Sequence, residues 1–227
     1  MTLTYYGHSC FLLETRGKCL LFDPFISHNS AAAHINIADI KADYILISHG
    51  HGDHVADVEA IGKPQNAQLI GAFEVISWFQ QKGMQGIGMN LGGKAHFDFG
   101  TVKMVSAIHT SGLPDGSYGG NPGGFVIWNE EGCLYFAGDT ALILDMQLIP
   151  KTCPKLDLAI FPIGDHYTMG YEDAALAAQL VQCDRVVGCH YDTFPPIKID
   201  KMAAQKAFAA SGKTLLLPSI GEQVAVK

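Results

Sequence analysis

Five times in this chain a short apolar run stops and a histidine or aspartate follows almost at once. Tyr44–Ile47 leads into Ser48-His49, Val102–Ile108 into His109, and Leu134–Ala137 into Gly138-Asp139. Leu158–Ile163 leads into Gly164-Asp165-His166, and Arg185–Cys189 into His190. Runs of this length, rich in Val, Ile and aromatic residues, read as β-strands. A scaffold presents chemistry by setting polar groups just past the ends of rigid strands. The repetition predicts that these imidazoles and carboxylates gather along one edge of a sheet system.

Further strands are expected at Leu3–Tyr6, Cys10–Glu14 and Cys19–Phe22, the last two joined by a turn at Arg16-Gly17-Lys18. Gln68–Ile70, Lys94–Phe97, Phe125–Trp128, Leu215–Leu217 and Gln223–Val226 read the same way, with a hairpin signal at Glu130-Glu131-Gly132. Helices are expected over Val55–Ile61, Glu74–Gln81, Glu172–Gln182 and Met202–Ala210. Strands and helices alternate in both halves, which predicts a layered α/β fold with helices outside the sheets. The halves are similar in style, without a repeat that the residues alone establish. At 227 residues and 48% hydrophobic, a single domain over 1–227 is the expectation.

Composition narrows the function. Net charge is −7, and no run of Lys or Arg offers a nucleic-acid groove. The six cysteines form no CxxC pair and read as small buried apolar residues. No apolar run approaches the roughly 20 residues of a membrane span. The first residues lack a basic segment followed by an apolar one, so no signal peptide is read and a cytoplasmic location is expected. The expected partner is a small-molecule substrate, with homo-oligomerisation left open.

The sharpest motif is His49-Gly50-His51-Gly52-Asp53-His54. Neutral imidazole and carboxylate are good ligands for zinc and similar cations. Ligand spacings of two, four and five residues do not share a helical face. They suit a loop whose alternate residues point at two centres, with the glycines allowing a tight turn.

With this HxHxDH motif, followed in order by His109, Asp139 and His190, the chain resembles the metallo-β-lactamase superfamily. Gly7-His8-Ser9-Cys10-Phe11 and Asp23-Pro24-Phe25 are similar to a family of small metal-dependent hydrolases, itself similar to ascorbate-phosphate lactonases. The resemblance implies a four-layer αββα sandwich and two divalent metal ions. His49, His51 and His109 would hold one ion, Asp53, His54 and His190 the other, and Asp139 would bridge them. Zinc is the expected metal, and manganese, iron or nickel suits the same ligands. His51 stands where the flavodiiron variant has a carboxylate, which favours hydrolysis over redox chemistry.

The implied reaction is attack by a metal-bridging hydroxide on a small-molecule ester or lactone. Phosphodiester cleavage at the same centre and metal binding without catalysis are the alternatives. Asp53 is also a catalytic candidate, orienting the nucleophile or taking its proton. His166 is expected to line the site as substrate binder or general acid. His8 is read as lying beside the metals or bonding between strands, and Asp23 as partnering a ligating histidine or forming a turn before Pro24. Ser111 and Asp115 are candidate polar contacts. The glycine-rich stretch Ser117–Gly124 is a flap or a loop with demanding turns.

Overall fold

A computed structural model describes residues 1–227. The chain forms two seven-stranded mixed sheets flanked by helices. The first sheet contains β1 (Thr2–Gly7), β2 (Cys10–Thr15), β3 (Lys18–Phe22), β4 (Tyr44–Ile47), β5 (Gln68–Ala72), β6 (Gly86–Met89) and the last strand, β14 (Gln223–Ala225). The second contains β7 (Lys94–Phe97), β8 (Gly100–Ser106), β9 (Gly123–Asn129), β10 (Gly132–Phe136), β11 (Leu158–Pro162), β12 (Arg185–Cys189) and β13 (Thr214–Leu216).

The strand orders are β14-β1-β2-β3-β4-β5-β6 and β7-β8-β9-β10-β11-β12-β13. Each sheet starts with four antiparallel strands and continues with three more that run parallel to the fourth. The two halves thus repeat one topology, a likeness that their sequences leave undeclared. The hairpin expected at Arg16-Gly17 closes with Thr15 opposite Lys18, and both turn residues are left-handed at φ 50° and 70°. The second closes with Asn129 opposite Gly132.

Alternation along the strands of the second sheet divides the interior. Leu134 and Phe136 of β10, Leu158 and Ile160 of β11, and Val187 and Cys189 of β12 join the core shared with the first sheet. There Phe136 meets Phe22 at 5.0 Å between ring centroids. The intervening residues Tyr135, Ala159, Phe161 and Val186 face the helices α5 (Tyr171–Leu180) and α6 (Lys201–Ala210). Four alanines of α5, at 174, 175, 177 and 178, are buried there, and side chains this small let the helix lie close to the strands. On the first sheet, α2 (Val58–Gln65) and α3 (Phe73–Gln80) bury Val58, Ile61, Val75, Ile76 and Phe79. Two short helices complete the set, α1 (Gly52–Val55) and α4 (Ile149–Thr152). No helix is long and apolar enough to cross a membrane.

Three elements differ from expectation, one of them α4, a single turn that the sequence analysis does not expect. The helix expected over Val55–Ile61 is broken into α1 and α2. Asp57 turns out of the ladder there: its N–H bonds Pro24 O at 3.1 Å, and its carboxylate accepts the N–H groups of Ile26 and Ser27 at 2.6 and 2.9 Å. Strand β6, Gly86-Ile87-Gly88-Met89, carries too little β-propensity to be read from sequence. Parallel pairing with β5 and the cover of α3 hold it in place.

Candidate metal centre

The carboxyl ends of the parallel strands β3, β4, β10, β11 and β12 are where an α/β sheet presents ligand-binding loops. Strand β4 delivers Ser48-His49, and α1 begins immediately after His51, so Asp53 lies in its first turn and His54 in its last. The motif glycines do less turning than expected, for neither Gly50 nor Gly52 has a positive φ. Gly50 is needed for closeness instead: a Cβ there would sit 3.1 Å from the Leu113 side chain. Gly138, just before Asp139, does adopt φ 63°, and a Cβ on it would lie 2.7 Å from Ser48 Cβ. The two halves meet at that point with room only for hydrogen.

The structure gathers the seven residues His49, His51, Asp53, His54, His109, Asp139 and His190. Ligand atoms of His49, His51 and His109 lie within 4.8 Å of one another, and so do those of His8, Asp53, His54 and His190. Asp139 Oδ2 stands between the groups, 3.6 Å from His109 Nε2 and 3.9 Å from His49 Nε2 on one side. On the other it is 3.3 Å from His54 Nε2 and 3.0 Å from His190 Nε2. Asp53 Oδ2 is 3.9 Å from His190 Nε2.

A buried carboxylate fixes two of these rings. Asp23 Oδ2 accepts from Ser48 Oγ at 2.6 Å and from His54 Nδ1 at 2.7 Å. Since the Ser48 hydroxyl spends its proton on Asp23, Ser48 Oγ accepts from His49 Nδ1, 2.9 Å away. Both imidazoles therefore turn Nε2 toward Asp139, the arrangement typical of residues behind metal ligands.

Burial, the dominant influence, holds His49 well below the ordinary imidazole range and lowers His51 and His109 as well, which keeps these rings neutral. Burial works in the same direction on His54, but the Asp139 and Asp23 carboxylates outweigh it and raise that ring well above its ordinary value. Asp139 is pulled up by burial and more strongly down by His54 and His190, ending well below the carboxylate range.

The donor set fits a cation on a further count. His54 Nε2, Asp139 Oδ1 and His190 Nδ1 are buried without a hydrogen-bond partner. Orphaned polar atoms are costly. Of the three, His54 Nε2 is the one that faces Asp139 Oδ2, at 3.3 Å, and a cation beside it would supply the partner it lacks.

A cavity of about 480 Å³ opens on the cluster. It is lined by His51, Asp53, His109, Asp139 and His190 together with Thr110, Tyr167 and Phe194, and by no lysine or arginine. His166, expected to line it, is exposed and absent from that lining, and its ring packs on Tyr167 at 4.5 Å. Asp165 and His166 are both left-handed, at φ 58° and 56°, and this tight turn gives the cavity Tyr167 instead. Thr110, which bonds His51 Nε2 at 3.2 Å, and Phe194 carry no signal in the sequence that sets them apart.

The remaining candidates serve the scaffold. Ser111 Oγ accepts from Gly50 N at 3.0 Å and donates to Gly119 O at 3.0 Å, and Asp115 accepts from Trp78 Nε1 at 2.6 Å. The Ser117–Gly124 stretch is tied down by Gly119 N to Ser111 O and Gly123 N to Ser48 O, and contributes nothing to the cavity lining.

Two helix-flanked sheets with a histidine–aspartate cluster across their shared edge define a metallo-hydrolase of the β-lactamase type. A profile of the beta-lactamase superfamily domain matches residues 2–190, and the chain belongs to that superfamily. A UPF0173 metal-dependent hydrolase of Flavobacterium johnsoniae is 51% identical over 224 residues, covering 99% of each chain. Another from Geobacillus thermodenitrificans is 46% identical over 204 residues, covering 88% of this chain and 89% of the other. Among solved structures, Igni18, a metallo hydrolase of the archaeon Ignicoccus hospitalis, is similar with a TM-score of 0.87 and 35% identity over 98% of this chain and 97% of that one. The protein is an enzyme of this metal-dependent hydrolase class.

Proposed function

We propose that the protein hydrolyses a small uncharged ester or lactone at a centre of two divalent ions, with zinc as the metal. The observation that carries this reading is the position of Asp139 Oδ2, within 3.9 Å of an imidazole nitrogen in each of two donor groups. His49, His51 and His109 would hold one ion, Asp53, His54 and His190 the second, and Asp139 would serve both. Bound there, such ions supply water acidified to a pKa near 7 and a Lewis acid for the substrate oxygen. The chain does the rest: Asp23 and Ser48 fix the rings, Asp53 orients the attacking water and accepts its proton, and Tyr167 and Phe194 offer apolar surface to the substrate.

The cavity lining argues for an acyl substrate. A phosphodiester carries a charge that such sites usually meet with Arg or Lys, and neither lines this cavity. The test is turnover of metal-reconstituted protein on panels of lactones, thioesters and phosphodiesters. Lactone or ester hydrolysis is expected, falling about a hundredfold or more in Asp139→Asn along with metal content. Turnover confined to phosphodiesters would replace the substrate assignment. Full metal occupancy with no turnover on any panel would replace catalysis with metal binding alone. Undiminished activity after complete metal removal would reject the scheme.

A further inference from the structure

We propose that His8 is the positioning residue for Asp53: braced by Thr193, its ring holds one carboxylate oxygen so that Asp53 keeps a single orientation toward the second donor group. The inference rests on the two-ion reading above. Three donors are immobilised without His8. His49 and His54 are held through Ser48 and Asp23, and Asp139 is 3% exposed. Asp53 differs: its side chain is 26% exposed and it stands on a four-residue helix. Rotation about the terminal bond of a carboxylate side chain is soft. The hydrogen-bond partner of the Asp53 carboxylate is His8, whose Nε2 lies 3.1 Å from Oδ2.

His8 is built to hold still. It is 1% exposed, and its ring lies 4.1 Å from that of His190, 5.4 Å from Phe25 and 5.5 Å from Phe194. Its Nδ1 is 2.9 Å from Thr193 Oγ1. Thr193 has a choice of acceptor, because Tyr191 O lies 3.3 Å from the same hydroxyl. Were the hydroxyl to donate to Tyr191, His8 would carry its proton on Nδ1 and turn a bare Nε2 lone pair on the Asp53 oxygen. Attraction therefore requires the other tautomer: Thr193 donates to Nδ1, and Nε2–H donates to Asp53. The backbone adds a second tie, since His8 O accepts His190 N at 2.9 Å. One residue at the end of β1 thus restrains two donors of the second group, one from each half.

His8 Nε2 is also near enough to Asp53, His54 and His190 to be a ligand itself. The roles exclude each other, because a nitrogen that donates its proton to Asp53 has no lone pair for a cation. The experiment measures ions per chain by mass spectrometry, affinity for each ion by chelator competition, and the visible spectrum of the cobalt-substituted protein. The variants are His8→Ala, His8→Gln, which keeps an N–H donor near Nε2, and Thr193→Val, which keeps the shape of Thr193 without its hydroxyl. The first ion, on His49, His51 and His109, reports that each variant is folded.

His8→Ala is expected to weaken the second ion by about 10–100-fold while sparing the first. His8→Gln should restore most of that loss with cobalt bands in their wild-type positions, and Thr193→Val should weaken the second ion to a smaller degree. Wild-type second-ion affinity in His8→Ala overturns the proposal. So does a His8→Gln protein that fails as badly as His8→Ala with shifted cobalt bands, which would make His8 a ligand. Wild-type protein that takes only one ion overturns the two-ion reading, and this inference with it.

Discussion

Asp23 shows how much a site can depend on a side chain that never reaches it. Fully buried, it accepts from the Ser48 hydroxyl, the Ser48 N–H and His54 Nδ1, and through Ser48 it also governs His49. Asp23→Ala would strand three donors at once. Unmet buried donors cost about 1–3 kcal/mol each, so a marked fall in melting temperature is expected, together with a 10–100-fold loss of zinc affinity. Calorimetric melting and a zinc titration read the two effects, and unchanged zinc affinity would show that the rings orient themselves. At this scale the sequence was partly legible. Ligand chemistry at strand ends is visible because histidines and aspartates there have little other business. The contact between His8 and Asp53 joins residues 45 apart, and nothing local announces it. Tyr167 and Phe194 were harder still, since an aromatic residue in a loop is commonplace until the fold gives it a cavity to line.

Among the elements, the step from β10 into the cluster is tightly constrained. Gly138 takes a left-handed φ while lying against Ser48 and Gly123 O. Ser48 cannot retreat, being bonded to both Asp23 and His49. Gly138→Ala should therefore destabilise the protein by about 1–3 kcal/mol and lower metal content by displacing Asp139. Denaturant unfolding and metal analysis measure these separately. A variant of wild-type stability would mean the two halves are free to part. Most strands and the long helices were legible because their apolar residues recur with the right period. The break between α1 and α2 was hidden, for the partners of Asp57 lie in the loop after β3, far off in sequence. Strand β6 was invisible because a tertiary neighbour, rather than its own residues, makes it a strand.

For the molecule as a whole, the cluster carries an electrostatic cost that pH exposes once metal is stripped by a chelator. Burial lowers His8 to about 4 and depresses His49, His51 and His109. Below pH 6.5 the unfolded chain takes up protons that these folded rings refuse, so their burial destabilises increasingly as pH falls. His54 has the opposite sign: its raised value stabilises the fold below pH 6.5 and loses that effect only as pH rises through it. Four rings oppose one, and the melting temperature of chelated protein should drop from pH 7 to pH 5. A flat or rising profile would contradict the burial described here. Returning zinc at pH 7 should restore stability by mass action, about 2.7 kcal/mol per site at a hundredfold excess over Kd.

The seam between the two sheets has a further meaning for a chain under synthesis. Because a chain is made from its amino end, the donors through His54 emerge long before their counterparts. Until His109, Asp139 and His190 follow, neither donor group of the proposed centre is complete. On the two-ion reading proposed above, full metal loading therefore waits for the second half of the chain.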